Sequence, residues 1–444
     1  MKRKSLILAL LVFSFSLLLR VLYTQVIPGL IPHGDQEGYI QIGNLIQSSP
    51  SISTLINPYR TPLYPLFLLF AHSIFHTYTV IPYLQYLIAS FSLTLFFLSL
   101  VKQKIMPLLS LAIVLLISLS INVFGWEKSL MTEGLATSWL LLLVSVSLPL
   151  FELITVRRLL LFFFLSVLGF LLRPMVLPIP IIILAFLLVQ NVVERKTQSA
   201  KLWFTIVLYI LIPVFYILGN TYFHGYKSIQ QVGDVDVFAR ILQFQLPVDA
   251  GKAYPFYVNI AKNYVYDSKD FRPFDILKSY DPDIYGKQYM FNDLRSFNRE
   301  VILSNPVQYA LHALSDLPKA VTESSPFLHI DSPQNLFSMT GLFYILQEFS
   351  RVLTYGNFLI FIIFPIAFIR YVQSKKTRWL LISLFSSIVI SQLLIGVFVV
   401  YEEYSRLYAV TYPLMITGII LTYFSLAENL KKRLENQRVR ISST

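Results

Sequence analysis

The sequence predicts an all-α polytopic membrane protein of about ten transmembrane helices, with juxtamembrane helices in the first outer loop and a small extracytoplasmic insert. Three observations carry that prediction. The 444 residues are 55% hydrophobic and only 14% charged, far more apolar than a soluble domain of ordinary composition. Apolar runs reaching the roughly 20 residues needed to cross a hydrocarbon core recur from end to end. Between the runs, segments rich in Lys and Arg alternate with segments poor in them, as in a chain threaded back and forth through a bilayer.

Spans are placed near residues 5–27, 79–101, 105–125, 130–154, 159–173, 175–193, 202–223, 353–371, 379–400 and 407–427. Met1-Lys2-Arg3-Lys4 ahead of the first run has the charge of a signal peptide. The residues after the run, Leu19-Arg20-Val21-Leu22-Tyr23, lack a small-residue cleavage pattern, so it is read as an uncleaved span. With the N-terminus inside, the inside segments carry nineteen Lys and Arg; the short outside loops carry four, Arg60, Lys128, Arg173 and Arg406. That asymmetry satisfies the positive-inside rule at every turn and puts both termini in the cytoplasm. Residues 159–193 need an even number of legs, because basic clusters flank both ends; Arg173-Pro174 marks the outer bend.

The chain thus divides into an N-terminal transmembrane module (1–223), an extracytoplasmic, partly helical insert (224–350), and C-terminal transmembrane helices with a basic cytoplasmic tail (351–444). The first outer loop (28–78) holds interfacial helices around Asp35 to Ser48 and Pro62 to Phe75. In the insert, Val307, Ala310, Leu311, Leu314 and Leu317 follow Pro306 at helical spacing, a face suited to rest on the bilayer. No internal repeat or low-complexity tract is present.

Composition also excludes. Without cysteine there are no disulfides, thiolate nucleophiles or cysteine metal sites. The net charge of +12 is that of cytoplasmic loops rather than of a nucleic-acid binder. The six histidines lack zinc-ligand spacing, and neither a Gly-rich phosphate loop nor a nucleophile elbow is present.

Ionisable groups at span ends are site candidates, since they are costly beside lipid. In His33-Gly34-Asp35-Gln36-Glu37-Gly38-Tyr39, a helix puts Asp35 and Tyr39 on one face. Asp35 there is either a general base toward an acceptor hydroxyl or a helix N-cap. Arg60, in Tyr59-Arg60-Thr61-Pro62-Leu63-Tyr64-Pro65, suits a lipid phosphate bidentately or snorkels to ordinary headgroups. Glu133 opens the fourth span, where the helix dipole also favours a carboxylate. Glu127 is expected to pair with Lys128 or solvent. Arg173 must face water, protein or a bound anion. Arg406 lies four residues after Glu402, a spacing at which the two can pair. Arg20, inside the first run, is expected to contact a protein carboxylate.

In order and in side of the membrane, these features resemble the C-type (GT-C) membrane glycosyltransferases, especially bacterial relatives of protein O-mannosyltransferases and of lipid A aminoarabinose transferases. The residues concerned are Arg20, Asp35, Tyr39, Arg60-Thr61-Pro62-Leu63-Tyr64-Pro65, Gln85, Thr132-Glu133, Leu172-Arg173-Pro174, Asn305-Pro306 and Ser405-Arg406-Leu407-Tyr408. The sequence departs from the family at Gln36, where many relatives have a second acid; Glu37 is the nearest substitute. The resemblance implies inverting transfer of a sugar from a polyprenyl-phosphate donor to a glycan, lipid or protein acceptor on the outer face of a bacterial plasma membrane. It implies Asp35 and Glu133 as catalytic carboxylates and Glu37, Tyr39, Arg60, Tyr64, Arg173 and Arg406 as substrate-binding residues. No cofactor or metal is inferred, since arginines suffice to balance a monophosphate, and no nucleic-acid partner is expected. A lipid or polysaccharide-precursor flippase is the main rival; it would want mid-membrane charges and related halves. A surface-polysaccharide polymerase or ligase using diphosphate donors is the other.

Overall fold

A computed structural model describes residues 3–195, 199–264, 272–323, 330, 335–401 and 404–442. The chain is an all-α, multi-pass membrane protein. Among the described residues there is no β-strand, and one isolated parallel bridge joins Ile31 to Ser129. In order the first half runs α1 (Arg3–Val26), α2 (Gln36–Ser48), α3 (Ile52–Leu55), α4 (Leu63–Phe75), α5 (Ile81–Lys102), α6 (Pro107–Leu119), α7 (Ile121–Phe124), α8 (Thr132–Ser147), α9 (Val156–Leu172), α10 (Pro178–Val193) and α11 (Ser199–His224). A helical segment follows: α12 (Gln231–Gln243), α13 (Pro255–Asn263), α14 (Pro273–Tyr280), α15 (Gln288–Ser304), α16 (Pro306–Ser315) and α17 (Leu317–Thr322). The chain closes with α18 (Met339–Thr354), α19 (Gly356–Ser374), α20 (Thr377–Val399), α21 (Tyr404–Ala409) and α22 (Tyr412–Ser442).

Local sequence explains many of the boundaries. Proline occupies the first turn of α5, α6, α10, α13, α14, α16 and α17, where its missing N–H costs nothing. Thr155 caps α9 by accepting from the Arg158 N–H. His76 and Lys375 end α4 and α19 in the left-handed conformation. Pro213 and Pro365 lie inside α11 and α19, as membrane helices tolerate when neighbouring groups re-satisfy the backbone.

Eight helical stretches among the described residues are long and apolar enough to cross a membrane: Lys4–Val26, Ile81–Lys102, Thr132–Leu150, Pro174–Val193, Ala200–His224, Gly356–Ser374, Thr377–Val399 and Tyr412–Gln437. Large apolar side chains stand exposed on α1 (Leu6, Leu10), α11 (Phe204, Phe215) and α19 (Ile362, Ile366), a surface that only lipid covers favourably. The straight span expected at 105–125 is instead broken. Helix α6 stops at Leu119, Ser120 is extended, and the chain resumes at 62° as Ile121–Lys128. The break is held because the Ile121 N–H donates to Ser350 Oγ at 2.8 Å, a partner from α18. With that bent pair taken as one stretch, nine among the described residues are long and apolar enough to cross. The tenth expected leg, at 159–173, is α9, whose 17 residues leave it outside that set. The expected span at 130–154 stops at Leu150, where Pro149 sits in a 3-10 turn.

Helix α5 packs between α1 and α8, and α20 between α19 and α22; α10 and α20 join the two groups across one continuous apolar core. The segment after α11 has its own core around Phe238, Tyr257, Phe291, Leu294 and Phe297. It sits on one end of the bundle through α12, α16 and α17 against α20. On α16, Tyr309 and Ala313 face inward while Val307, Leu311 and Leu314 are exposed, as the helical spacing predicts.

Candidate active site

The end of the bundle that carries α2, α4 and the 225–323 segment gathers five charged side chains from five distant stretches. Asp35 precedes α2 in the N-cap position, yet its side chain makes no cap hydrogen bond. The capping alternative is therefore set aside, because the carboxylate is engaged elsewhere. Asp35 Oδ1 accepts from Arg60 Nη2 at 2.9 Å and Oδ2 from Arg406 Nη2 at 2.7 Å. Arg406 Nε also pairs with Glu133 Oε1, and Arg173 Nη1 reaches the same oxygen at 2.7 Å. The chain Arg60–Asp35–Arg406–Glu133–Arg173 alternates in sign and, with three guanidiniums against two carboxylates, keeps one excess positive charge.

Each member is placed by its element. Arg60 stands just before α4 and lays its guanidinium over the Tyr39 ring at 4.8 Å, within cation–π range. Tyr39 meets Tyr64 edge-on at 5.1 Å, so the aromatic pair backs the arginine. Glu133 is in the first turn of α8, fully buried, where the helix N-terminus favours its charge. Thr132 beside it accepts from Arg173 Nη1 at 3.3 Å. Arg173 ends α9 with an extended backbone enforced by Pro174. Arg406 sits on the short helix α21, whose position is fixed from the 225–323 segment. Buried Arg240 pairs with Asp316 and donates to the Val397 carbonyl at 2.7 Å, while the Tyr404 hydroxyl donates to Asp316 at 2.8 Å.

The cluster floors a cavity of about 730 Å³. Asp35, Tyr39, Arg60, Arg173 and Arg406 line one side; α12 and the start of α14 supply the other, with Asp234, Asp236, Arg272 and Asp275. Burial pushes the Asp35 carboxyl up, but Arg406 and then Arg60 outweigh it and hold the group well below the usual carboxylate range. Asp35 is thus ionised at neutral pH. On the facing wall burial pushes Asp234 up to about 6, against weaker lowering by the Tyr226 hydroxyl and Arg295. The Tyr226 hydroxyl lies 2.5 Å from Asp234 Oδ2 and 2.9 Å from the Gln230 carbonyl. As the donor to Asp234, the Tyr226 hydroxyl favours the ionised carboxylate and so opposes part of the effect of burial.

Of the residues singled out from the sequence, Asp35, Tyr39, Arg60, Arg173 and Arg406 meet at the cavity. Glu133 lies directly beneath it and positions two of the arginines rather than facing the open space. Two do not join. Glu37 points to solvent one face away, with only the Gln41 amide 3.4 Å from it. Tyr64 is fully buried behind Tyr39 and does not line the cavity. The expected pairing of Glu127 with Lys128 is corrected. Glu127 turns into the bundle and takes Arg20 bidentately at 2.6 and 2.8 Å, while Lys128 points toward the Tyr23 ring at 5.6 Å. The reason is the close approach of the 125–128 turn to α8, where Gly134 has no side chain and the Gln85 amide ties the Glu127 carbonyl at 2.9 Å. Arg20 does therefore meet a carboxylate. Glu402 lies outside the described residues. The sequence reading missed Thr61, Thr132 as a cavity residue, and Asp234 with Asp236; nothing in Val232-Gly233-Asp234-Val235-Asp236 separates these acids from others in the segment.

No group of three or more His, Asp and Glu side chains among the described residues is arranged to hold a metal ion. Comparison of the chain with protein-family models and with curated proteins finds no match to either.

Proposed function

We propose that the chain is a membrane glycosyltransferase that moves a sugar from a polyprenyl-phosphate donor to an acceptor hydroxyl by a single inverting displacement. The observation that carries this reading is the carboxylate of Asp35 held between two guanidiniums on the floor of a cavity at the membrane-helix ends, with one positive charge left over. The resemblance of the motif order to the C-type transferases supports it. The loop charges, read as ten crossings with cytoplasmic termini, support a cavity that opens on the extracytoplasmic face, and the resemblance supports a plasma membrane.

The chemistry follows from the pairing. With no donor bound, Asp35 takes the place of a phosphate between Arg60 and Arg406 and is a weak base. The donor's phosphate oxygens attract the same guanidiniums, bidentately where geometry allows. As the arginines turn to the phosphate, Asp35 loses the partners that stabilise its charge, and its proton affinity rises. The acceptor hydroxyl then gives its proton to Asp35 while its oxygen bonds to the anomeric carbon. The bond from that carbon to the phosphate oxygen breaks on the opposite face, and Arg60, Arg173 and Arg406 stabilise the departing polyprenyl phosphate. Glu133 keeps Arg173 and Arg406 aimed at the cavity.

The test incubates purified protein in lipid nanodiscs with polyprenyl-phosphate sugars and a membrane extract as acceptor source. Wild type should transfer sugar, and Asp35→Asn should lose about 10² to 10⁴ of that rate, the worth of a positioned general base. Equal transfer by both removes Asp35 from the chemistry, and saturable passage of an intact lipid-linked solute without transfer would replace the enzyme by a flippase.

A further inference from the structure

At the opposite end of the bundle a second cavity, of about 800 Å³, lies where α19, α20 and α22 come together. Helix α19 ends at Ser374 and α20 begins at Thr377, so two residues separate the helices. That short turn brings Arg370, in the last turn but one of α19, beside Lys376; Lys432 of α22 completes the set. No Asp or Glu lines the cavity among the described residues. The nearby Glu428 is held by Arg378 at 2.7 Å, with Lys432 at 3.7 Å. Buried Trp379 forms part of the wall. The rim is apolar: Tyr423, Leu426 and Leu430 lie on one face of α22 and are 77%, 46% and 59% exposed. Arg370, Lys376, Lys432 and the adjoining Arg378 set against the single carboxylate of Glu428 leave an excess of positive charge that asks for an anion. An apolar stripe of this kind leading away from them, on a helix of membrane length, asks for a chain that stays in the hydrocarbon.

We infer that this cavity binds the phosphate headgroup of an anionic phospholipid, with Arg370, Lys376 and Lys432 on the phosphate oxygens and the lipid's glycerol and acyl portion along Tyr423, Leu426 and Leu430. Basic pockets between membrane helices are suited to such headgroups. The basic turn that opens α9 differs from this arrangement. Arg158 there is spent on the Pro149 and Leu153 carbonyls at 2.8 and 3.0 Å. Free inorganic phosphate would satisfy the cations but leave the stripe uncovered. The inference does not depend on the sugar-transfer reading, because it uses no residue of the first cavity.

Native mass spectrometry of the delipidated full-length protein, offered phosphatidylglycerol and phosphatidylcholine in equal amounts, tests it. One phosphatidylglycerol should be retained preferentially by wild type. The triple variant Arg370→Gln, Lys376→Gln, Lys432→Gln should lose at least about ten-fold of that affinity, since each basic residue near an anionic lipid contributes measurably. A control of equal charge change, Lys102→Gln, Lys104→Gln, Arg157→Gln, should retain it. Equal loss in both triple variants would reduce the effect to diffuse charge, and equal retention of phosphatidylcholine would remove the headgroup from recognition; either overturns the inference. Displacement of phosphatidylglycerol by excess inorganic phosphate would overturn the lipid in favour of a soluble anion. If the triple variant fails to fold, Lys376→Gln alone, at an exposed turn position, carries the same comparison against Lys104→Gln.

Discussion

Replacing Arg406 by lysine isolates the feature on which the proposed chemistry rests. One guanidinium bridges two carboxylates, Nη2 to Asp35 at 2.7 Å and Nε to Glu133. A lysine ammonium is a single point charge on a flexible stem and cannot keep both contacts in that geometry. The buried Glu133 retains Arg173 and competes for the remaining cation, so the contact to Asp35 is the one lost. A hydrogen bond to a charged group contributes about 1.5 to 3 kcal/mol, so Arg406→Lys should lower kcat/KM by about ten- to a hundred-fold. The pH profile should move as well. In the free protein Arg406 is the largest influence drawing the Asp35 pKa down against burial. The wild-type acid limb of kcat/KM should accordingly lie below the ordinary carboxylate range, with Asp35 ionised across neutral pH. In Arg406→Lys, burial is less opposed, the pKa rises, and the limb moves to higher pH. The folded pKa of Asp35 lies below its ordinary value, so its pairing stabilises the fold above that value. The contribution is lost as pH falls through the folded pKa, and the lysine variant has less of it to lose. Steady-state transfer from a polyprenyl-phosphate sugar across pH measures both effects. An unchanged rate together with an unchanged acid limb would refute the bridging role.

Other outcomes follow from the remaining pairs. Asp234, raised from 3.8 to about 6, destabilises the fold when ionised, so stability should fall as pH rises through that interval. The loss is up to about 3 kcal/mol, and thermal unfolding of Asp234→Asn should be flat there. Glu127→Gln leaves Arg20 buried against a neutral partner and should cost about 3 to 5 kcal/mol, read as a lower unfolding temperature in detergent. Replacing Arg20 and Glu127 together by methionine should recover most of that loss, and an unchanged melting point in the single variant would show that the pair is not needed. Asp316→Asn loosens the contacts that hold Tyr404, and so displaces Arg406 without touching it. Transfer should fall about ten-fold through KM while the acid limb shifts as in Arg406→Lys, a shift that a merely structural loss would not produce.

The sequence alone determined the class of this protein: apolar runs of membrane length, absent cysteine, and basic segments in alternation leave an all-α membrane fold as the consistent reading. It also pointed to Asp35, Arg60, Arg173 and Arg406, because an ionisable side chain at the end of an apolar run stands out by its cost. Only the tertiary structure decided the partners. Asp35 is clamped rather than capping, Glu127 belongs to Arg20 across 107 positions rather than to its neighbour Lys128, and Glu37 and Tyr64 fall away from the cavity that Asp234 helps to close. It also broke the run after Leu119, through a hydroxyl on α18 that no local pattern signals. The division is physical. Transfer of a segment into lipid is a sum over its own residues and can be read in a window of the chain. An ion pair depends on distances between segments far apart in sequence, and those distances exist only once the helices have packed.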